Sequence, residues 1–178
     1  MQLKDFIITW DNVLDDQSCD MLVRAFNERS TITEKHDTEL YKFEQLNLMQ
    51  SDMSGIGRQI ATALVPYYEE YFERVGASEF IGIQGFEDLR IKKYVVGTGA
   101  QFKTHIDVAD ASSMKRYCIA ILYLNDNDGV TEFPTLGVKT TPKKGSLIMF
   151  PPTWQYPHAG RLPSDNDKYI LMTSLTYT

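Results

Sequence analysis

The stretch Gln101-Phe102-Lys103-Thr104-His105-Ile106-Asp107 is predicted to form a β-strand that carries two candidate metal ligands. Side chains on a strand alternate between its two faces, so His105 and Asp107 would point one way and Ile106 the other. A second histidine, His158, follows on a distant predicted strand. Two histidines and one carboxylate suit Fe(II), because they occupy one face of an octahedron and leave positions open for substrate and O2.

Strand-like alternation extends outward from this stretch to cover everything from residue 80 to the end of the chain. The predicted strands are 87–96, 101–107, 116–124, 130–133, 137–141, 145–150, 153–158 and 168–177. Clusters of Gly, Pro, Asn and Asp at 97–99, 125–129, 142–145 and 163–166 predict the turns between them. Eight short strands at this spacing favour a mainly β (α+β) fold with a double-stranded β-helix, or jelly-roll, core.

The N-terminal part, residues 1–79, is predicted to supply a helical support for residues 80–178 within one domain, 1–178. A strand at 5–10 precedes a first helix that ends near Ser30, and a second helix extends from Ser51-Asp52 to Gly76. Both helices should pack on one sheet, and Pro66 should kink or restart the second. Residues 31–47 are predicted to be loop with a short strand at 40–43, and His36 within them a surface residue.

Composition narrows the class of protein. The chain has 178 residues and a net charge of −6, which argues against a general nucleic-acid binder because such proteins present a basic face. Neither a signal-peptide pattern nor an apolar run of membrane length is present, so no membrane partner is expected. Cys19 and Cys118 stand alone in apolar settings and are predicted to be reduced, buried thiols. Together these features predict a cytoplasmic protein.

Two further residues bear on the chemistry. Asp107 lies between apolar strand segments, where a carboxylate needs a counter-charge such as a divalent metal. Lys168 begins the last predicted strand on the same face as Ile170 and Met172, and pointing inward it would need an anionic ligand. The alternative is a strand-end lysine that extends to water. A zinc hydrolase would more often show a compact H-E-x-x-H motif, which is absent.

An ordered set of motifs runs through the second half of the chain. It consists of His105-x-Asp107, Arg116, Tyr123-Leu124-Asn125, Gly129-x-Thr131-x-Phe133-Pro134, Pro142-x-x-Gly145, Phe150, His158 and Lys168-Tyr169. This set resembles the prolyl 4-hydroxylase-like group of Fe(II)/2-oxoglutarate-dependent dioxygenases. The resemblance is specific over roughly residues 88–177 and looser at the start of the chain.

The resemblance implies a role for each matching residue. His105, Asp107 and His158 would ligate iron, and Lys168 would pair with the distal carboxylate of 2-oxoglutarate. Thr131 and Tyr94 would add contacts to that carboxylate, and Arg116 would face the substrate as part of the catalytic site. Tyr94 departs from the family pattern, because it precedes the iron-binding histidine by eleven residues, two more than is usual.

The resemblance also implies the reaction. With Fe(II), 2-oxoglutarate and O2, and with ascorbate as a further candidate reductant, the enzyme would hydroxylate an unactivated C–H bond. The substrate would be a prolyl or other amino-acid side chain in a peptide or protein, or a free amino acid. Two alternatives stay open: a metal-binding jelly roll without activity, and a metal-dependent hydrolase or isomerase on the same fold.

The rim of the site is predicted from position along the chain. The residues expected to flank the mouth are Arg90, Trp154, Tyr156, Arg161 and the loop 108–115. The loop is polar and lacks a regular pattern, which favours a mobile lid.

Overall fold

Two antiparallel sheets form the frame of the computed structural model, which describes residues 1–178. The elements are β1 (Ile8–Trp10), α1 (Asp16–Glu28), β2 (Glu34–Asp37), β3 (Lys42–Asn47), α2 (Ser54–Arg74), β4 (Gly85–Phe86), β5 (Arg90–Tyr94), β6 (Phe102–His105), β7 (Arg116–Tyr123), β8 (Thr131–Phe133), β9 (Val138–Thr140), β10 (Leu147–Phe150), β11 (His158–Gly160) and β12 (Lys168–Thr176). The larger sheet has the order β1-β10-β7-β12-β5-β3-β2, with β4 paired to β12, and the smaller has the order β6-β11-β8-β9. The predicted mainly β jelly roll with two helices is confirmed.

The larger sheet separates two apolar cores. Along β7, Ala120 and Leu122 belong to the core shared with the helices, whereas Ile119, Ile121 and Tyr123 belong to the core between the sheets. Strand alternation sends successive side chains to opposite faces, so both faces of this sheet are covered. This double burial explains why β7 and β10 consist almost entirely of apolar residues.

The two helices cover the outer face of the larger sheet. Helix α1 begins after Asp15, whose carboxylate accepts a hydrogen bond from the backbone N–H of Ser18 at 2.6 Å. Helix α2 continues through Pro66 as a single helix, so the predicted restart does not occur. Leu64 and Tyr68, on either side of the proline, are both buried, and their packing on the sheet favours one unbroken helix.

Residues 31–47 differ from the prediction, because they form the hairpin of β2 and β3 rather than a loop with a short strand at 40–43. Strand β3 pairs with β5, placing Leu46 opposite Ile91 and Glu44 opposite Lys93. This pairing is long-range in the chain, so it stabilises a polar segment whose local pattern gives little sign of a strand.

The predicted strand 153–158 is wrong. The segment is a turn closed by a hydrogen bond from the N–H of Tyr156 to the carbonyl oxygen of Thr153, at 2.9 Å, and β11 begins only at His158. The predicted strand 101–107 is shorter than expected, since β6 ends at His105. Asp107 therefore lies in the loop after the strand, where its N–H donates to the carbonyl oxygen of Pro152 at 3.1 Å.

Candidate active site

Three of the predicted ligands converge at one end of the smaller sheet. Strands β6 and β11 are antiparallel neighbours, and their register places His105 directly opposite His158. Asp107 Oδ2 lies 3.4 Å from His158 Nε2, and Asp107 Oδ1 lies 3.8 Å from His105 Nε2. Each of the three side chains is at most 10% exposed, so the cluster is nearly excluded from bulk water.

Backbone carbonyl groups fix the orientation of both imidazoles. His105 Nδ1 lies 2.8 Å from the carbonyl oxygen of Lys103, and His158 Nδ1 lies 3.1 Å from that of Tyr156. With Nδ1–H as the donor in each case, the Nε2 lone pair is left free on the side of Asp107. Burial, together with the neighbouring His158, lowers the pKa of His105 to about 4 and keeps this ring neutral at pH 7.

The chemistry of these donors fits Fe(II). The candidate ligand atoms of His105, Asp107 and His158 all lie within 4.8 Å of one another. Asp107 Oδ2 is buried and accepts no hydrogen bond, which is costly unless a cation pairs with it. One carboxylate and two imidazoles, with each imidazole held by a backbone carbonyl group, are a ligand set that binds divalent first-row metals.

We expect divalent metal to stabilise the fold through this cluster. Under anaerobic conditions, Fe(II) at 100 times its Kd should raise the free energy of unfolding by about 2.7 kcal/mol. The thermal midpoint should rise accordingly. Asp107→Ala should remove this shift, while the metal-free variant should unfold close to the wild type because it loses an unpaired buried acceptor. Differential scanning calorimetry measures both effects, and an equal metal shift in the two proteins would contradict the assignment.

Lys168 points into the barrel instead of reaching water. It is the first residue of β12, lies opposite Tyr94 of β5, and is only 2% exposed. Its ammonium group donates to the carbonyl oxygen of Gly129 at 2.5 Å and lies 5.5 Å from the Tyr94 ring. Burial lowers the pKa of Lys168 to about 7, and no carboxylate lies within ion-pair distance. A buried amine of this kind is suited to an anionic ligand.

The inner cavity extends from Lys168 to the three metal-ligand candidates. Its lining includes Thr131, Tyr94, His158 and Gly160. The structure thus brings Thr131 and Tyr94 to the same cavity as Lys168, despite the unusual spacing of Tyr94 in the sequence. The Tyr123 hydroxyl donates to the Thr131 hydroxyl at 2.7 Å.

Tyr123, to which the sequence alone assigned no role, lies behind the cavity lining and supports it through its hydrogen bond to Thr131. Its ring lies 5.9 Å from the Lys168 ammonium, and the side chain is fully buried. In the sequence it lies in a continuous apolar run that extends to Leu124, so it could not be distinguished from an ordinary core residue. The one available signal was its place beside Leu124 and Asn125 in the matching pattern.

An outer cavity of about 300 Å³ opens from the ligand cluster toward solvent. Its walls combine aromatic rings with charged groups, and the residues include His36, Tyr41, Phe43, Gln45, Glu87, Arg90, Lys92, Phe102, Arg116 and Met172. His36 was expected on the surface, but its ring packs 4.9 Å from Phe43 in the cavity wall. Hairpin pairing puts it there, which its charged sequence neighbours did not indicate.

Of the single residues predicted to flank the mouth, one lines one of these two cavities and three do not. Arg90 lines the outer cavity, whereas Trp154 is 73% exposed and lines neither cavity. Tyr156 is buried in the core between the sheets, and Arg161 is paired with Glu132. The loop 108–115 is held by hydrogen bonds from Ser113 and its neighbours to Asp110, which fix a compact turn.

Arg116 supports the loop that carries Asp107. Its Nε donates to Glu87 Oε1 at 2.8 Å, and its Nη1 donates to the carbonyl oxygen of Asp107 at 2.9 Å. Because Arg116 also lines the outer cavity, it is placed to orient a metal-ligand candidate and to meet a substrate.

Comparison with known proteins places this geometry in context. Residues 89–174 match the model of the 2OG-Fe(II) oxygenase superfamily. The fold is similar to that of a viral collagen prolyl hydroxylase from Paramecium Bursaria Chlorella virus-1, with a TM-score of 0.75, 23% identity and 97% of each chain covered. It is also similar to a Pseudomonas putida prolyl-4-hydroxylase, with a TM-score of 0.71, 17% identity, and 97% of this chain and 92% of that chain covered.

A third similar structure contains a peptide. It is a Trichoplax adhaerens prolyl hydroxylase in complex with a hypoxia inducible factor oxygen degradation domain peptide fragment, with a TM-score of 0.74 and 15% identity. The alignment covers 97% of this chain and 84% of that chain. No curated protein sequence is significantly similar to the chain. None of the helices is long and apolar enough to cross a membrane.

Proposed function

We propose, from the match of residues 89–174 to the model of the 2OG-Fe(II) oxygenase superfamily, that the protein is a dioxygenase that hydroxylates a prolyl or other amino-acid side chain in a peptide or protein. The observation that carries the proposal is the convergence of His105, Asp107 and His158 beside a cavity that ends at the buried Lys168. A metal-binding module without activity would not need such a lysine, because an unpaired buried ammonium is costly to fold.

In this proposal each residue of the cavity has a defined task. His105, Asp107 and His158 hold Fe(II), and Lys168 pairs with the distal carboxylate of 2-oxoglutarate. Thr131 and Tyr94 help to orient that carboxylate. Fe(II), 2-oxoglutarate and O2 together supply the oxidising chemistry, with ascorbate as a candidate reductant, while the protein supplies orientation and a site that excludes water.

The form of the outer cavity supports an amino-acid substrate. Tyr41, Phe43 and Phe102 present mutually tilted rings with centroids 5.0 to 6.1 Å apart, which give an aromatic wall beside the ligand cluster. Such a wall can pack against the pyrrolidine ring of proline. The similar structures are described as prolyl hydroxylases, and one of them holds a peptide.

The decisive test has two stages. Anaerobic titration with Fe(II) and 2-oxoglutarate should produce the weak visible charge-transfer band of the metal chelate. Proline-containing peptides should then stimulate O2-dependent succinate release and gain one oxygen atom, as read by mass spectrometry. Metal binding without the band would contradict the proposal, and turnover with zinc in the absence of O2 would favour a hydrolase or isomerase.

Arg116→Ala should weaken the reaction by two routes. Loss of the hydrogen bond to the Asp107 carbonyl oxygen loosens a metal-ligand loop, at a cost of roughly 10- to 100-fold in metal affinity. Loss of the cation in the outer cavity should also raise the KM for a peptide. Arg116→Lys keeps the charge but lacks the rigid planar fork that holds Glu87 and the Asp107 carbonyl group together, so it should recover substrate affinity better than metal affinity. Unchanged metal affinity and kinetics in Arg116→Ala would remove Arg116 from both roles.

We also propose a cytoplasmic location. Cys19 and Cys118 are both free and buried, and burial raises the pKa of each thiol, so both stay protonated and unreactive. Fractionation of the cell that produces the protein tests this, and recovery from an extracellular fraction would contradict it.

A further inference from the structure

Lys92 is a second inward-pointing lysine whose partner is missing. It is the central residue of β5 and directly precedes Lys93 and Tyr94. Alternation puts Arg90, Lys92 and Tyr94 on the face of β5 that lines the cavities. The Lys92 residue is 8% exposed and lines both the inner and the outer cavity.

The ammonium group of Lys92 rests on aromatic rings and not on a carboxylate. It lies 4.5 Å from the centre of the Phe43 ring and 5.6 Å from that of Phe102. No carboxylate lies within ion-pair distance. The two arginines of the outer cavity are paired, Arg116 with Glu87 and Arg90 with Asp88, so Lys92 alone has no anionic partner there.

The charges of the proposed complex leave Lys92 unbalanced. The positive charges are two on Fe(II) and one on Lys168. The negative charges are one on Asp107 and two on 2-oxoglutarate, so the two sums cancel without Lys92. The carboxylates of 2-oxoglutarate are already paired, one at the metal and one at Lys168. A cation buried without a partner is costly, and a further anion entering through the outer cavity would remove that cost.

We propose that Lys92 binds a free carboxylate on the substrate residue that is hydroxylated. The substrate is then an amino acid, or the C-terminal residue of a peptide, with its ring or side chain against Phe43 and Phe102. Lys92 lines the same cavity surface as His105 and Asp107, so the carboxylate it holds lies on the residue next to the metal and not on a distant one. This inference rests on the proposed function and defines its substrate by a free carboxylate, which restricts peptides to their C-terminal residue and also admits free amino acids.

The test compares two ligands that differ only in charge. Protein loaded anaerobically with Fe(II) and 2-oxoglutarate is titrated calorimetrically with N-acetyl-L-proline and with N-acetyl-L-prolinamide. The wild type should bind the carboxylate roughly 10- to 100-fold more tightly, the range expected for one charge-assisted hydrogen bond. Lys92→Met should remove most of this preference and leave the affinity for 2-oxoglutarate unchanged.

Lys93→Met is the matched control, because Lys93 lies on the opposite face of β5 and pairs with Asp167 at 3.1 Å. It should keep the preference for the carboxylate. Equal binding of the two ligands by the wild type, binding of neither, or a preference that survives Lys92→Met would overturn the inference. Loss of 2-oxoglutarate binding in Lys92→Met would also overturn it, by assigning the lysine to the co-substrate. Absence of the chelate band in the wild-type protein would contradict the proposed function itself. That outcome is distinguishable from a failure of the inference about Lys92.

Discussion

His158→Ala is expected to abolish 2-oxoglutarate-dependent succinate release, leaving less than about 1% of the wild-type rate. Changes in groups that merely orient a ligand typically cost 10- to 100-fold, and removal of one of three ligands should cost at least the larger value. The group of candidate ligands contains only His105, Asp107 and His158, so no fourth His, Cys, Asp or Glu side chain in it can replace the lost nitrogen. Calorimetry measures the loss of metal affinity, and mass spectrometry measures the loss of succinate release.

The third histidine of the chain provides the control. His36→Ala removes an imidazole from the outer cavity wall but leaves the ligand cluster intact, so metal affinity should stay within about twofold of the wild type. Circular dichroism separates metal loss from unfolding in His158→Ala. Normal succinate release by a folded His158→Ala protein would rule out the metal assignment.

Lys168→Met should produce two effects of opposite sign. Affinity for 2-oxoglutarate should fall by roughly 100-fold, because the distal carboxylate would be buried without its cation. The metal-loaded protein without co-substrate should become more stable, because methionine fills similar space without burying an unpaired ammonium group. Lys93→Met, which removes a lysine paired at the surface, should show neither effect.

The stability gain of Lys168→Met should depend on pH. Burial lowers the pKa of Lys168 to about 7 in the folded chain, whereas the unfolded chain keeps the ordinary value near 10.5. Between these values the unfolded state binds more protons, so the stability of the wild type rises with pH. The gap between variant and wild type should therefore be largest below about pH 7 and shrink toward pH 10. Thermal melts across this range measure the gap, and a gap independent of pH would contradict a buried ammonium group.

Much of the architecture could be predicted from local patterns. Short apolar runs bounded by turn residues, within 116–124 and 145–150, predict β7 and β10 closely, and the period near 3.6 predicts both helices. The types of His105, Asp107 and His158 also predict the class of metal, and the resemblance of the ordered set to a known family implies the co-substrate. These features are determined by the sequence itself. Hydrophobic patterning depends on residues close together in the chain, and donor chemistry depends on residue type.

Tertiary structure alone decided how those residues meet. The register that sets His105 opposite His158, the loop position of Asp107 and the pairing of β3 with β5 are contacts between distant segments. The inward direction of Lys168 and Lys92 likewise depends on which face of each strand the second sheet covers. Local periodicity carries no information about pairing between distant strands. The assembled barrel is therefore what leaves Lys92 and Lys168 buried without counter-charges, and the anionic ligands that we propose rest on that observation.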